Sequence, residues 1–258
     1  MDPVELAAQP GMVVLAGMHA VKHAVRFGAE VVLLVAPDPD EAFAVAEEVA
    51  PDLLSRLRGD VVRVEPAVAA RLAGGRADLV GIARRPDRSG PPPAGGPGAI
   101  QVPGGGPVRP GPIVLLDNPR HLGNLGAVVR VAAGFGARAV LSTGTVDPWH
   151  PTVVRAGAGL HFAVDVRRVR LEEVPGPVVA FDPAGEDLRG VGLPDTAVLA
   201  FGSERHGLSA GVRDRAERLV AIPMREQVSS YNLATSVAVA LYAWTAGPLT
   251  GPGGGTPR

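Results

Sequence analysis

The sequence predicts an α/β fold, with a parallel sheet covered by helices in the C-terminal half and a smaller α/β module ahead of it. Two patterns carry that expectation. Beyond residue 112, short apolar runs alternate with turns and helix-periodic stretches in the order strand, turn, helix, strand, which is the rhythm of a parallel sheet. Between about Pro86 and Pro112 the composition changes to Pro-Pro-Pro, Gly-Gly-Pro and Gly-Gly-Gly with no apolar periodicity, so that stretch reads as a linker dividing the chain. With 258 residues, 46% of them hydrophobic, there is enough material for one large core or two unequal ones.

In the N-terminal segment, His19 to Phe27 reads as a helix closed by Gly28, followed by a strand from Glu30 to Val35. A second amphipathic helix covers roughly Asp40 to Val49, and the runs Val61 to Val64 and Leu79 to Ala83 suit further strands. After the linker, Ile113 to Leu116 is a buried strand. Its helix carries Leu125, Val128, Val129, Ala132 and Ala133 at core-facing spacing and ends at Gly134 or Gly136. Ala137 to Leu141, Pro177 to Phe181, Ala197 to Phe201 and Leu219 to Ile222 fit later strands. A final helix from about Asn232 to Trp244 places Leu233, Val237, Ala240, Leu241 and Trp244 on one face, and a second Gly-rich tail follows from Gly247.

Composition narrows the function. The absence of cysteine removes disulfides, thiolate nucleophiles and Cys-ligated zinc, and the six histidines form no HExxH or comparable spacing, so no metal is expected. No run of about 18 apolar residues is present, and the start, with Asp2 and Glu5, lacks a signal peptide's basic region, so a cytoplasmic protein is expected. A net charge of −1 argues against a uniformly basic nucleic-acid binder while leaving room for a local basic face. Arginines cluster at Arg84-Arg85-Pro86-Asp87-Arg88 and Arg167-Arg168-Val169-Arg170, each of which is most simply a solvated surface.

Three segments carry chemistry. In the first, Leu116 to Arg130, a strand runs into a Gly/Asn turn where Asn124 could cap the next helix and backbone N–H groups could meet an anion. The second, Leu199 to Leu208, puts Gly202 and Glu204 at the end of an apolar strand, the edge where parallel sheets bind ligands; Gly202 allows close approach to the backbone and Glu204 offers an acceptor. Ser203 does not sit in a G-x-S-x-G elbow, which disfavours a serine hydrolase. In the third, Ala221 to Leu233, Ser230 and Asn232 are capping types, but Ser-Ser-Tyr-Asn is more polar than one cap requires. Neither G-x-x-x-x-G-K-[ST] nor G-x-G-x-x-G occurs in a strand–turn–helix setting, so an unrelated nucleotide-binding enzyme is disfavoured.

Together the three segments resemble, in order and spacing, the three motifs of the SpoU/TrmH branch of the SPOUT methyltransferases. The first motif corresponds to Asn124, Gly126, Ala127, Arg130, Phe135 and Gly136. The second corresponds to Gly202, Glu204, Gly207 and Leu208, and the third to Ile222, Pro223, Met224, Ser230 and Asn232. A further family-like stretch runs from Val146-Asp147-Pro148 to Arg155-Ala156-Gly157-Ala158-Gly159. The N-terminal segment, from Gly17-Met18-His19-Ala20-Val21 to Val80-Gly81-Ile82-Ala83-Arg84-Arg85-Pro86, is similar to the L30e-like RNA-binding domain often joined to this family. The chain departs from the family pattern at Glu226, where glycine is usual, at Ser229, where glutamate is usual, and at Tyr231, where leucine is usual.

The resemblance implies an L30e-like domain over residues 1–86, a linker over 87–112, a knotted methyltransferase domain over 113–247 and a flexible tail over 248–258. The knot would be a trefoil, an exception to the rule that connections do not thread loops. The implied activity is methyl transfer from S-adenosyl-L-methionine to a ribose 2′-hydroxyl of a structured RNA, 23S rRNA ahead of tRNA. The rival is an RNA-binding protein that keeps the knot and has lost catalysis. Arg130, Asn124, Glu204, Ser230 and Asn232 are the implied catalytic set, with Asn124 and Glu204 holding Arg130 or the substrate. Gly202, Ile222, Met224, Tyr231 and Leu233 would hold the cofactor. A homodimer whose sites combine both subunits is also implied.

Overall fold

Local chemistry sets where several elements begin in the computed structural model, which describes residues 2–88 and 111–247. Asp2 caps a short helix, α1 (Pro3–Ala7), with proline in its first turn, where a missing N–H costs nothing. After β1 (Met12–Ala16), α2 (Met18–Arg26) ends at Phe27 and the chain turns through Gly28 at φ 77° into β2 (Val31–Ala36). Asp38 caps α3 (Pro39–Val49), again with proline at the start. There follow α4 (Leu54–Asp60), β3 (Val61–Arg63), α5 (Pro66–Ala73), which stops at the left-handed Gly74, and β4 (Val80–Arg84). The four strands form a mixed sheet in the order β1-β4-β2-β3, with β4 antiparallel to both neighbours.

The second sheet is built from β5 (Ile113–Leu116), β6 (Ala139–Ser142), β7 (Asp165–Arg168), β8 (Val178–Asp187), β9 (Val198–Phe201) and β10 (Ala216–Ala221). Its order is β10-β8-β9-β5-β6-β7 and every pairing is parallel. Each residue of β5, β6 and β9 is buried, as expected for strands covered on both faces. The helices are α6 (Leu122–Gly134), α7 (Pro151–Ala156), α8 (Ala210–Arg215) and α9 (Leu233–Ala246). Leu125, Val128, Val129 and Ala132 of α6 are fully buried, and the five residues placed on one face of the last helix are its five buried ones.

One apolar core runs through both sheets, from Leu15 and Val21 to Trp149 and Phe162. At the seam, His23 Nδ1 lies 2.8 Å from the Ala158 carbonyl and therefore donates to it. Arg85 stacks over Trp149, 5.4 Å from the ring centroid, and Gly159 lies so close to the Ala20 carbonyl that a Cβ there would sit 2.3 Å from it.

Several expectations change. The sequence reading did not foresee β1, β7, α1, α4, α5, α7 or α8; most of these are short or carry no sustained period. Asn124 is not a cap: α6 begins at Leu122 behind His121, so Asn124 lies inside the first turn with its side chain free for other work. Both arginine clusters are largely consumed by ion pairs, Arg84 with Glu30 at 2.7 Å, Arg85 with Asp147 at 3.5 Å, Arg88 and Arg167 with the buried Asp165, and Arg170 with Glu173 at 3.1 Å. The expected linker falls mostly on residues 89–110 and the expected tail on 248–258, outside the described residues. Among the described residues, no helix is long and apolar enough to cross a membrane, and no group of three or more His, Asp or Glu could hold a metal ion.

Candidate functional site

At the C-terminal end of β9, where its pairing with β8 stops at Phe181 and Phe201 and a parallel sheet opens to ligands, lies a cavity of about 630 Å³. All three segments singled out in the sequence reach it: His121 and Asn124 from the first, Gly202 to Arg205 from the second, and Ile222, Met224 and Ser229 to Leu233 from the third.

The polar side of the cavity is a hydrogen-bonded relay. Asn232 caps α9 by accepting from Ala234 N–H at 2.9 Å, and its Nδ2 donates to Asn124 Oδ1 at 3.0 Å. Asn124 Nδ2 in turn donates to Glu204 Oε1 at 2.9 Å, while the backbone N–H of Arg120 donates to Glu204 Oε2 at 3.2 Å. Burial alone would raise the Glu204 carboxyl. The hydrogen bonds from Asn124 and from nearby backbone N–H groups outweigh it and hold the group below its ordinary value, so it is an anion at neutral pH. Ser230 lines the same space, and its hydroxyl has no partner among the described residues.

The apolar side is aromatic. Phe181 and Phe201, the last pair in the β8–β9 register, stack with centroids 4.6 Å apart and planes 8° from parallel. Asp182, 7% exposed, lines the cavity and is ion-paired with Arg213. Phe181 and Asp182 were not anticipated. The rule that ligands sit at the carboxyl ends of parallel strands would have found them, since they end the apolar run Val178 to Ala180 as Gly202 ends Val198 to Phe201.

Glycines of the motifs serve the backbone. A Cβ on Gly202 would lie 2.1 Å from the Gly207 carbonyl carbon, because residues 203–207 fold back on themselves with Ser203 N–H donating to Gly207 O at 2.9 Å. Gly202 therefore closes a tight turn as well as lining the cavity. Gly126 does the same between helices: its Cβ would meet the Val153 carbonyl oxygen at 2.4 Å.

Of the expected site residues, Arg130 is not brought to the cavity. It is exposed on α6, six residues or about 9 Å along the axis from Asn124, and has no side-chain partner among the described residues. Asn124 and Glu204 bond to each other and to Asn232 instead of holding it. Glu226 is exposed and does not line the cavity, so the change from glycine leaves the pocket open; the chain turns at Gln227, φ 70°. Tyr231 lines the cavity, and its hydroxyl ties the loop back on itself by donating to Pro223 O at 3.2 Å.

A profile of the SpoU rRNA Methylase family matches residues 111–242, which contain the entire site. The chain belongs to this family. It is 36% identical over 126 residues to the ribosomal RNA small subunit methyltransferase G 2 of Syntrophobacter fumaroxidans, covering 47% of this chain and 25% of that protein. It is 31% identical over 159 residues to the 23S rRNA (adenosine(1067)-2′-O)-methyltransferase of Streptomyces laurentii, covering 56% and 57%. The chain thus spans 25% to 62% of the length of the first curated relatives it matches. Among solved structures, an AdoMet-bound rRNA methyltransferase from Sinorhizobium meliloti superposes with a TM-score of 0.69 at 26% identity, over 93% of this chain and 89% of that one. The likeness of this SpoU-family member to that enzyme therefore extends beyond the matched family segment into the four-stranded N-terminal unit.

Proposed function

We propose that this SpoU-family chain is an S-adenosylmethionine-dependent RNA methyltransferase acting on a ribose 2′-hydroxyl of structured RNA, ribosomal ahead of transfer RNA. The observation that carries this reading is the convergence of three separate segments on one cavity, joined by the Asn232–Asn124–Glu204 relay. The fit to the cofactor is good. A cavity of about 630 Å³ lies within the usual range for small-molecule sites and offers an aromatic wall for a purine, backbone groups at Gly202, Ile222 and Tyr231 for its polar edges, and the Glu204 anion near a cationic sulfonium. Met224 and Leu233 complete its apolar lining.

Held by Gly202, Ile222, Met224, Tyr231 and Leu233, S-adenosylmethionine would supply a methyl group activated on a sulfonium, with a neutral thioether as leaving group and the ribose proton passing to solvent. The chain's own task is to orient that ribose and to stabilise the charge that develops on its oxygen. Ser230, with an unengaged hydroxyl at the cavity, is suited to bind the ribose. Arg130 is suited to stabilise an alkoxide and poorly suited to accept its proton, since a guanidinium stays charged at any working pH. Its distance from its own cavity supports a homodimer in which the arginine of one copy serves the cavity of the other. The same reading assigns residues 1–86 to an L30e-like RNA-binding domain, residues 113–247 to a trefoil-knotted catalytic domain, and a cytoplasmic location.

Isothermal titration with S-adenosylmethionine tests the reading directly. Binding is expected in the wild type and is expected to weaken in Asn232→Ala. Tritium-methyl transfer to ribosomal RNA and to transfer RNA, with Arg130→Ala as control, then ranks the substrates. Failure of the wild type to bind the cofactor, with and without RNA, would replace this reading with that of a non-catalytic RNA-binding protein.

A further inference from the structure

Most arginines of this chain are spent on nearby carboxylates or carbonyls. Arg26, Arg58, Arg84, Arg189 and Arg218 are surface residues, each paired to an acid at 2.5 to 2.9 Å. Among the described residues, Arg71, Arg76, Arg130 and Arg155 have no partner and do not line the cavity, and three more without a partner adjoin it. Arg120 and Arg205 flank Glu204, one by space and one by sequence, yet both carboxylate oxygens are taken by Asn124 Nδ2 and the Arg120 backbone N–H. Neither guanidinium is paired among the described residues, and both residues are exposed. Arg225, next to the cavity-lining Met224 on the third segment, is likewise exposed and unpaired. The other carboxylate at the cavity, Asp182, is neutralised by Arg213. Both acids are thus occupied, while one unpaired arginine, Arg205, lines the cavity and two more, Arg120 and Arg225, are sequence neighbours of its lining residues His121 and Met224, on a chain whose net charge is −1.

We propose that Arg120, Arg205 and Arg225 form a phosphate-binding rim that grips the RNA backbone flanking the ribose presented to the cavity. This rests on the methyltransferase reading and deepens it. A 2′-hydroxyl cannot enter without bringing the phosphates on either side of its nucleotide to the mouth, and free guanidinium forks match phosphate oxygens in geometry as well as charge. Such contacts position the strand and carry no base information, so the rim holds any sequence and leaves selection to other surfaces. Turning Glu204 inward has a second consequence here, because it keeps an anion from quenching two of the three cations.

The test is a salt series of anisotropy titrations with a labelled oligouridylate of about 20 nucleotides, on the full-length protein. Each lost phosphate contact to a single strand lowers the slope of log K against log salt by about 0.7. The R120Q/R205Q/R225Q variant is therefore expected to lower that slope by about 2 and to bind at least about 10-fold more weakly near 100 mM salt. The control variant R170Q/R189Q/R218Q, which removes three exposed but paired arginines, is expected to keep the wild-type slope. An unchanged slope in the rim variant, an equal loss in the control, or no wild-type binding at low salt would overturn the proposal. Cofactor titration of the wild type is read separately: if it fails, the methyltransferase reading falls, whatever the salt slopes show.

Discussion

Replacing glycine by alanine at two positions of α6 should have opposite effects. In a helix interior, alanine is favoured over glycine by about 1 kcal/mol. At Gly126 the new methyl would lie 2.4 Å from the Val153 carbonyl oxygen, 2.5 Å from the Ala156 Cβ and 2.9 Å from the Gly157 nitrogen, so α7 must be pushed away. Two of those three atoms are backbone, which cannot rotate aside, and overpacking of this kind costs about 1–3 kcal/mol. Set against the propensity gain, the upper part of that range leaves a net loss of about 2 kcal/mol. For a chain of this size that is a fall of about 4–8 °C in Tm. At Gly123, one turn earlier, a Cβ meets nothing within 4 Å. There only the propensity term acts, reduced near a helix end to about 0.5 kcal/mol, or a rise of about 1–2 °C. Thermal unfolding of the two variants beside wild type reads both signs. If Gly126→Ala is neutral or stabilising, the close helix contact is not what requires glycine in that motif.

Two further outcomes follow from the buried and relayed groups. Burial beneath Trp149 lowers the His161 pKa to about 4, with Nε2 donating to Pro148 O and Nδ1 left without a partner. Because the folded value lies below the unfolded one of about 6.5, the neutral imidazole contributes stability that is complete above pH 6.5 and is lost as the pH falls towards 4. Urea unfolding should show stability lower by about 2 kcal/mol at pH 5 than at pH 7.5 from this group, and His161→Gln should remove that dependence. Asn232 both caps α9 and feeds the relay; Asn232→Asp keeps the capping oxygen and loses the donor to Asn124. Both Asn232→Asp and Asn232→Ala should weaken cofactor binding, while only the alanine variant should lose the cap's roughly 1 kcal/mol of stability; if only the alanine variant binds worse, the cap matters and the relay does not.

The sheet and its covering helices were legible because β5, β6 and β9 are buried on both faces and so read as unbroken apolar runs, and because α6 and α9 keep a helical stripe over several turns. Elements such as α7 and α8, six residues each, are held by packing and caps and leave no comparable pattern. Within the site, residue types were legible and partners were not. Nothing local says that Asn124, well suited to start a helix, lies inside the first turn and meets residues 80 and 108 positions away. Phe181 and Asp182 were within reach of the strand-end rule, but their meeting with the second segment was not, since only the register of β8 beside β9 sets Phe181 opposite Phe201.

Arg130 is the residue for which motif and geometry part. Its place in the first segment suggests a catalytic role, yet it stands on α6 outside the cavity that collects the rest of that segment. If it acts on its own cavity, α6 must shift or the side chain must reach around the helix. If it serves a second copy, an isologous two-fold pairing supplies it with no rearrangement, because the same surface is presented twice. Mixing Arg130→Ala with Asn232→Ala, under conditions where each alone transfers no methyl group, separates these cases. After exchange, about half the dimers are mixed, and with trans action each mixed dimer holds one cavity with both residues intact, so about a quarter of wild-type activity should return. Action within one chain leaves every cavity short of one residue, and the mixture stays inactive. Recovery near a quarter would place the reaction between two chains; no recovery, with subunit exchange verified, would return Arg130 to its own cavity and require that α6 move when RNA binds.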